Sequence, residues 1–122
     1  MAETKGSPQL APGYALYREV DANDPASITD RSKGINMGDH RFANIQVVPS
    51  GGANPAAEVL WWSEEASAFI PEHTALTFAA KGANTSWETS VECRGRIMFV
   101  KLSSISAGLV KVFVGGSSVD KR

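Results

Sequence analysis

In the stretch Ser86-Trp87-Glu88-Thr89-Ser90-Val91-Glu92-Cys93 the character of the side chain changes at every residue. Trp87, Thr89, Val91 and Cys93 fall in one set, and Ser86, Glu88, Ser90 and Glu92 in the other. Successive strand residues point to opposite faces, so this pattern builds a strand with one face buried. A helix, turning about 100° per residue, would scatter both sets around its axis. The same reading applies to residues 41–48, with Ala43, Ile45 and Val47 inward, and to residues 74–80, where Leu76, Phe78 and Ala80 oppose Ala75, Thr77 and Ala79. Residues 96–102 and 109–114 are dense in β-branched and aromatic side chains, as buried strands are. Residues 57–63 and 14–20 add two further strands.

Turn signals separate these runs: Pro49-Ser50-Gly51-Gly52, Lys81-Gly82-Ala83-Asn84, Arg94-Gly95, and the segment 103–108. Glu64-Glu65-Ala66-Ser67-Ala68 suits a single helical turn capped by Ser63, too short to alter the class. Short strands at this spacing define an all-β chain, a small antiparallel β-sandwich or jelly-roll-like barrel with an extended N-terminal arm. Residues 1–13, with Pro8, Pro12, Gly6 and Gly13, read as the arm. Residues 14–118 form the one sandwich domain, including a long Asp/Asn/Ser/Gly-rich loop over 21–40, and 119–122 form a C-terminal tail.

Composition narrows the function classes. The chain has 122 residues and is 43% hydrophobic, enough for one core without staples. Twelve Lys and Arg against 13 Asp and Glu leave a net charge of -1, which argues against a nucleic-acid partner. A lone cysteine makes no intrachain disulfide and no thiolate metal cluster. No apolar run approaches the roughly 20 residues that cross a bilayer, and residues 1–6 lack the apolar core of a secretory signal. These features predict synthesis in a reducing cytoplasm, with no membrane partner.

No catalytic constellation emerges. G-x-S-x-G, H-E-x-x-H, a Walker A loop and a strand-linked G-x-G-x-x-G are all missing. His40 beside Asp39 and His73 beside Glu72 could in principle do acid–base work or bind a metal, but chance adjacency on loops is the commoner cause. Asp21, Asn23 and Asp30 resemble part of a calcium loop whose required glycine is here Ala26, so an Asx-rich turn is the better reading. Cys93 shares its parity with core residues and reads as a small buried hydrophobe. Arg94 and Arg96 read as loop charges. The expectation is a protein that is no enzyme and carries no cofactor or metal.

Contact residues can be argued from parity. Trp61 and Trp62 are adjacent and must face opposite ways in a strand. Trp61 goes with Ala57 and Val59 into the core, as does Trp87 with its own set. Trp62 goes with Glu58 and Leu60 toward a surface, where tryptophan serves as packing or as an anchor for a protein or a sugar ring. If the strands at 96–102 and 109–114 are neighbours, Met98, Val100, Leu102, Val110, Val112 and Val114 point inward. Avoiding a Lys101–Lys111 clash then sets Leu109 against Lys101 and Lys111 against Phe99. The opposite face would hold Ile97, Phe99, Leu109 and Phe113, too apolar for water, and should be covered by another sheet, the arm or another subunit. With Leu10 of the arm and Tyr14 directly after it, the candidate interface residues are Leu10, Tyr14, Leu60, Trp62, Ile97, Phe99, Leu109 and Phe113.

The stretch from about residue 42 to 116 resembles the small β-sandwich virion proteins of tailed bacteriophages, especially capsid decoration (cement) proteins. The resemblance is carried by Asn54-Pro55 before Glu58-Val59-Leu60-Trp61-Trp62-Ser63 and by Trp87-Glu88-Thr89. It continues through Gly95-Arg96-Ile97-Met98-Phe99-Val100-Lys101-Leu102 to Ala107-Gly108-Leu109-Val110-Lys111-Val112-Phe113-Val114-Gly115-Gly116. It covers about 60% of the chain and rests on strand-and-turn patterns. It implies a jelly-roll-like, often trimeric protein gripping a phage capsid, with the major capsid protein as partner and the virion surface as its location. Two other expectations stand beside it: a carbohydrate- or receptor-binding sandwich using Trp62 as a stacking platform, and a head-to-tail or tail-tube subunit.

Overall fold

The structure is a computed structural model, and it describes residues 14–21, 28–38, 40–103, 105 and 107–117. The expected arm (1–13), the whole expected tail (119–122) with residue 118, and residues 22–27 of the long loop lie outside the described residues.

The described strands are β1 (Ala15–Asp21), β2 (Ile35–Asn36), β3 (Phe42–Ser50), β4 (Ala56–Ser63), β5 (Ala68–Ile70), β6 (Leu76–Phe78), β7 (Trp87–Glu92), β8 (Ile97–Ser103) and β9 (Leu109–Ser117). They form two antiparallel sheets. The first has the order β1-β9-β3-β7, and the second β2-β8-β4-β5, with β6 also paired to β4. The fold is a small β-sandwich.

The core lies between the sheets and follows the alternation. Ala43, Ile45 and Val47 of β3, Val110, Val112 and Val114 of β9, and Val91 with Cys93 come from the first sheet. Ala57, Val59 and Trp61 of β4 and Met98 and Val100 of β8 meet them from the second. Trp87 is half-buried, packed against this cluster with its ring 6.1 Å from that of Phe78.

The pairing expected for the last two strands is corrected. β8 and β9 are not neighbours; they lie in different sheets. The like-charge problem that drove the expected register is solved differently, because each lysine meets a glutamate of another strand. Lys101 stands opposite Glu58 on β4. Lys111 stands opposite Glu19 on β1, with Nζ 4.0 Å from its carboxylate. The helical turn expected at 64–68 is a hydrogen-bonded turn, where Ser63 Oγ accepts from the Ala66 amide at 3.1 Å, and the chain then continues into β5. Among the described residues of the 21–40 connection are a 3-10 turn (Arg31–Lys33) and the short β2.

Two turns use the left-handed region. Arg94 (φ 51°) and Gly95 (φ 72°) are the central residues of the tight turn from β7 to β8, closed by the Arg96 amide on the Cys93 carbonyl at 2.9 Å. That turn crosses from one sheet to the other. Gly108 (φ 77°) lies so close to the β3–β4 turn that a Cβ there would meet the Ser50 carbonyl oxygen at 2.0 Å.

Candidate functional site

The second sheet's outer face carries a separate apolar cluster. Leu60 of β4 lies opposite Phe99 of β8, and Phe69 of β5 covers both. The Phe69 and Phe99 rings are stacked at 5.0 Å, and the Trp62 ring meets Phe69 edge-on at 5.1 Å. Gly34 of the long loop closes the top: a Cβ there would fall 2.5 Å from Phe69 Cζ and 2.8 Å from Ile97 Cγ2. The covering loop is tied down by the Phe69 amide on the Ile28 carbonyl (2.7 Å), Tyr17 Oη on the Lys33 carbonyl (2.5 Å) and an Arg31–Glu64 ion pair at 3.5 Å. From β1, the Arg18 guanidinium stands over the Phe99 ring at 4.8 Å.

This arrangement corrects the expected single apolar face. Ile97 and Phe99 lie on the outside of the second sheet, whereas Leu109 and Phe113 lie on the outside of the first, on the opposite side of the sandwich. Phe99 is fully buried and Leu60 nearly so, covered by this chain's own Phe69 and loop, so neither side chain is open to a partner. Ile97 is half-buried in the same cluster. Trp62 is half-buried too, and its Nε1 donates to Glu64 at 2.8 Å, so its ring is held by neighbours on one edge and at its polar tip. Leu10 lies outside the described residues.

The first sheet's outer face is where apolar side chains reach solvent. Its cross-strand rows read Asp21–Leu109–Ser50, then Glu19–Lys111–Val48, then Leu16–Phe113–Gln46–Glu88. Leu16 is 49% exposed, and Phe113, Leu109 and Val48 are half-buried around it. Tyr14 also lies here: its Oη donates to Glu88 Oε2 at 3.5 Å, while Gln46 Nε2 donates to Glu88 Oε1 at 3.2 Å. Burial, followed by the Glu88 charge, pushes the Tyr14 phenol above its ordinary value. Sequence reasoning missed Leu16 because β1 has a bulge. The register shifts between Val112 and Phe113, putting Leu16 opposite Phe113 and Arg18 opposite Val112, so simple alternation fails there.

Other singled-out residues have structural partners. Trp61 is buried, and its Nε1 donates to Glu72 at 3.1 Å. Arg96 lies 3.9 Å over the Trp61 ring, pairs with Glu72 at 3.2 Å, and donates to the Cys93 and Glu92 carbonyls at 3.0 and 3.1 Å. Arg96 is thus a clamp over the end of the core. Arg94 and Arg41 both hold Glu92, whose carboxyl they keep below the ordinary range, Arg41 most strongly. Cys93 is buried, its Sγ donating to the His40 carbonyl at 3.2 Å, and burial pushes its thiol up. The His40 ring rests on Gly116, where a Cβ would come within 2.3 Å of it, and Glu72 beside His73 is engaged by Trp61 and Arg96. Asp30 caps the 3-10 turn by accepting from the Ser32 amide and hydroxyl, the Asx turn expected from the sequence. Those bonds lower its carboxyl pKa.

Two shallow depressions mark the outer faces. One of about 330 Å³ runs over β6, β4 and β8 between Thr77, Glu58, Lys101 and Ser103. The other, of about 360 Å³, is bordered by Gln46, Val48, Ser86, Trp87 and Glu88 on the first sheet. Among the described residues no group of three or more His, Cys, Asp and Glu comes together to hold a metal, and no helix is long and apolar enough to cross a membrane. Comparison with known proteins finds no matching family, no matching curated protein and no matching solved structure.

Proposed function

We propose that this chain is a non-enzymatic virion structural protein that decorates and stabilises a bacteriophage capsid by binding the outer shell. Its partner is the major capsid protein, and it acts as a homo-oligomer, a trimer by preference. The observation that carries the reading is the outer face of the first sheet. There Leu16, Phe113, Leu109 and Val48 sit among the Lys111–Glu19 pair and Gln46 on a stiff antiparallel platform. A mixed apolar and polar surface on regular strands suits a broad protein contact, with aromatic and aliphatic anchors surrounded by hydrogen-bonding groups. A cement protein needs such a surface to lie across seams between capsomers, and an oligomer multiplies weak contacts on a repeating shell.

The test is attachment to shells. Purified particles analysed by mass spectrometry should contain the protein in hundreds of copies, comparable to the shell protein. Leu16→Glu should abolish rebinding to stripped shells while the melting temperature is kept. Tens of copies or fewer would move the assignment to a tail-tube or head-to-tail ring. The carbohydrate-binding reading now has a different motivation from the one in the sequence. The depression between Thr77, Glu58 and Lys101 is open, whereas Trp62 is held by Phe69 and Glu64. Saturable glycan binding lost in Glu58→Ala would favour that reading.

A further inference from the structure

Among the described strands the sheet edges are protected unequally. An open edge presents a row of unpaired backbone groups, and native chains blunt it by shortening, bulging or charging the strand. In the second sheet the edge strands β2, β5 and β6 are only two or three residues long. In the first sheet, β1 carries the bulge and exposes Glu19 and Asp21. β7, at the opposite edge, has six residues, no bulge against β3, and neither proline nor lysine. Its charges are Glu88 and Glu92, and both are engaged within the chain. Tyr14 and Gln46 donate to Glu88, and Arg41 and Arg94 hold Glu92.

One hydrogen bond fixes the backbone phase of that edge. The Cys93 amide donates to the Arg41 carbonyl at 2.7 Å, and these two residues continue the β3–β7 register. Hydrogen-bonded and non-hydrogen-bonded pairs alternate along an antiparallel ladder, so Val91, Thr89 and Trp87 turn their amides and carbonyls toward β3. Those of Glu88, Ser90 and Glu92 point away from it. Among the described residues, the Glu92 carbonyl accepts from Arg96 Nη2 at 3.1 Å, whereas the amides and carbonyls of Glu88 and Ser90 have no partner.

We infer that two copies of this chain join β7 to β7, antiparallel about a two-fold axis at Thr89, so that two four-stranded sheets become one continuous sheet. Backbone phase and facing together leave few registers. With the axis at Ser90, Glu88 would meet Glu92 of the second copy; with the axis at Glu88, that residue would meet itself. With the axis at Thr89, Glu88 exchanges its amide and carbonyl bonds with Ser90 of the second copy, and Glu92 meets Ser86. No like charges then stand directly opposite. On the inner face the half-buried Trp87 packs on Val91 of the second copy, an aromatic against a β-branched side chain, and Thr89 meets its own counterpart. Charge is complementary along the join. Two guanidiniums on one carboxylate leave the Glu92 end net positive, and that end lies diagonal to Glu88 of the second copy. Head-to-tail pairing of β1 with β7 fails, because any register that brings Glu19 or Asp21 onto β7 sets one of them against Glu88 or Glu92. A two-fold join also closes on itself and builds no filament. It leaves uncovered the outer face on which the shell contact is proposed, and it is separate from any three-fold association.

Cross-linking and sedimentation of the full-length chain test the join. The native chain should sediment as a dimer at roughly 100 μM. Residues opposed in a non-hydrogen-bonded pair have Cα atoms about 4.5 Å apart, within disulfide reach, whereas a two-residue offset places them beyond about 7 Å. Mild oxidation should therefore link Thr89→Cys copies at least about tenfold faster than Glu88→Cys copies, with the native chain as blank because Cys93 is buried. Glu88→Pro removes an amide that the join uses and β3 does not, so it should fold and weaken the dimer at least about tenfold. Leu16→Glu, on the outer face, should leave the dimer intact whatever it does to shell binding. A native chain that stays monomeric, or equal linking of the two cysteine variants, would overturn the inference. So would dimers that survive Glu88→Pro and dissociate with Leu16→Glu, which would assign the association to the outer face. Failure of Glu88→Pro to fold would show that this amide serves β3 and that the assigned phase is wrong.

Discussion

Truncating Phe99 separates a core role from an interface role. Phe99 is fully buried, stacked on Phe69, opposite Leu60, and beneath the Arg18 guanidinium. Phe99→Ala leaves a cavity between the second sheet and its covering loop. Removing a buried phenylalanine costs about 3–5 kcal/mol, and the lost ring pair and cation contact place this site in the upper half of that range. Against a total stability of about 5–15 kcal/mol, a loss near 4 kcal/mol is severe. At roughly 3–5 °C per kcal/mol for a chain of this size, the melting temperature should fall by about 12–20 °C. Urea melts followed by tryptophan fluorescence, with Trp62 reporting directly on the cluster, measure the loss. Sedimentation on the same samples reports the oligomeric state. A variant that loses less than about 1 kcal/mol would refute the packing argument. So would one that keeps its stability while its assembly dissociates, because Phe99 would then be an interface residue.

Arg96→Ala removes the cation over Trp61 and its charged bonds to Glu72 and two carbonyls, and should cost about 2 kcal/mol in urea denaturation. A loss below about 0.5 kcal/mol would show that the clamp is decorative. Gly108→Ala should destabilise by more than about 1–2 kcal/mol, the left-handed penalty alone, since its Cβ would also strike the Ser50 carbonyl; unchanged stability would contradict the close approach. Glu92 has a lowered carboxyl pKa in the folded chain, so its stabilising contribution is complete above the ordinary carboxylate value and is lost as pH falls through the lowered one. Glu92→Gln should therefore flatten the acid limb of the stability profile, and an identical acid limb would remove Glu92 from the account. Cys93 has the opposite sign. Burial raises its thiol pKa, so the fold favours the neutral form, and stability should decline as pH rises from the ordinary thiol value toward the raised one. The decline should vanish in Cys93→Ala, measured against that variant's own lower baseline.

What the sequence determined by itself was local. The facing of Trp87, Thr89, Val91 and Cys93, of Ala43, Ile45 and Val47, and of Trp61 against Trp62 follows from side chains alternating along a strand, a property each segment carries alone. The turn at Arg94-Gly95 and the capping by Asp30 are equally local. Tertiary structure decided which strand lies beside which. β8 and β9 are close in sequence and both apolar on their inner faces, yet they lie in different sheets, with Lys101 in register opposite Glu58 and Lys111 paired with Glu19. That choice split one expected apolar face into two. On one side Phe99 and Leu60 vanished beneath Phe69 and Gly34. On the other, Leu16 and Phe113 remained at the surface. No periodicity in residues 28–34 announces that they form a cover, because a loop that crosses a sheet buries residues according to what lies beneath it. Burial of that kind depends on contacts between segments far apart in the chain, which the order of residues within any one segment does not encode.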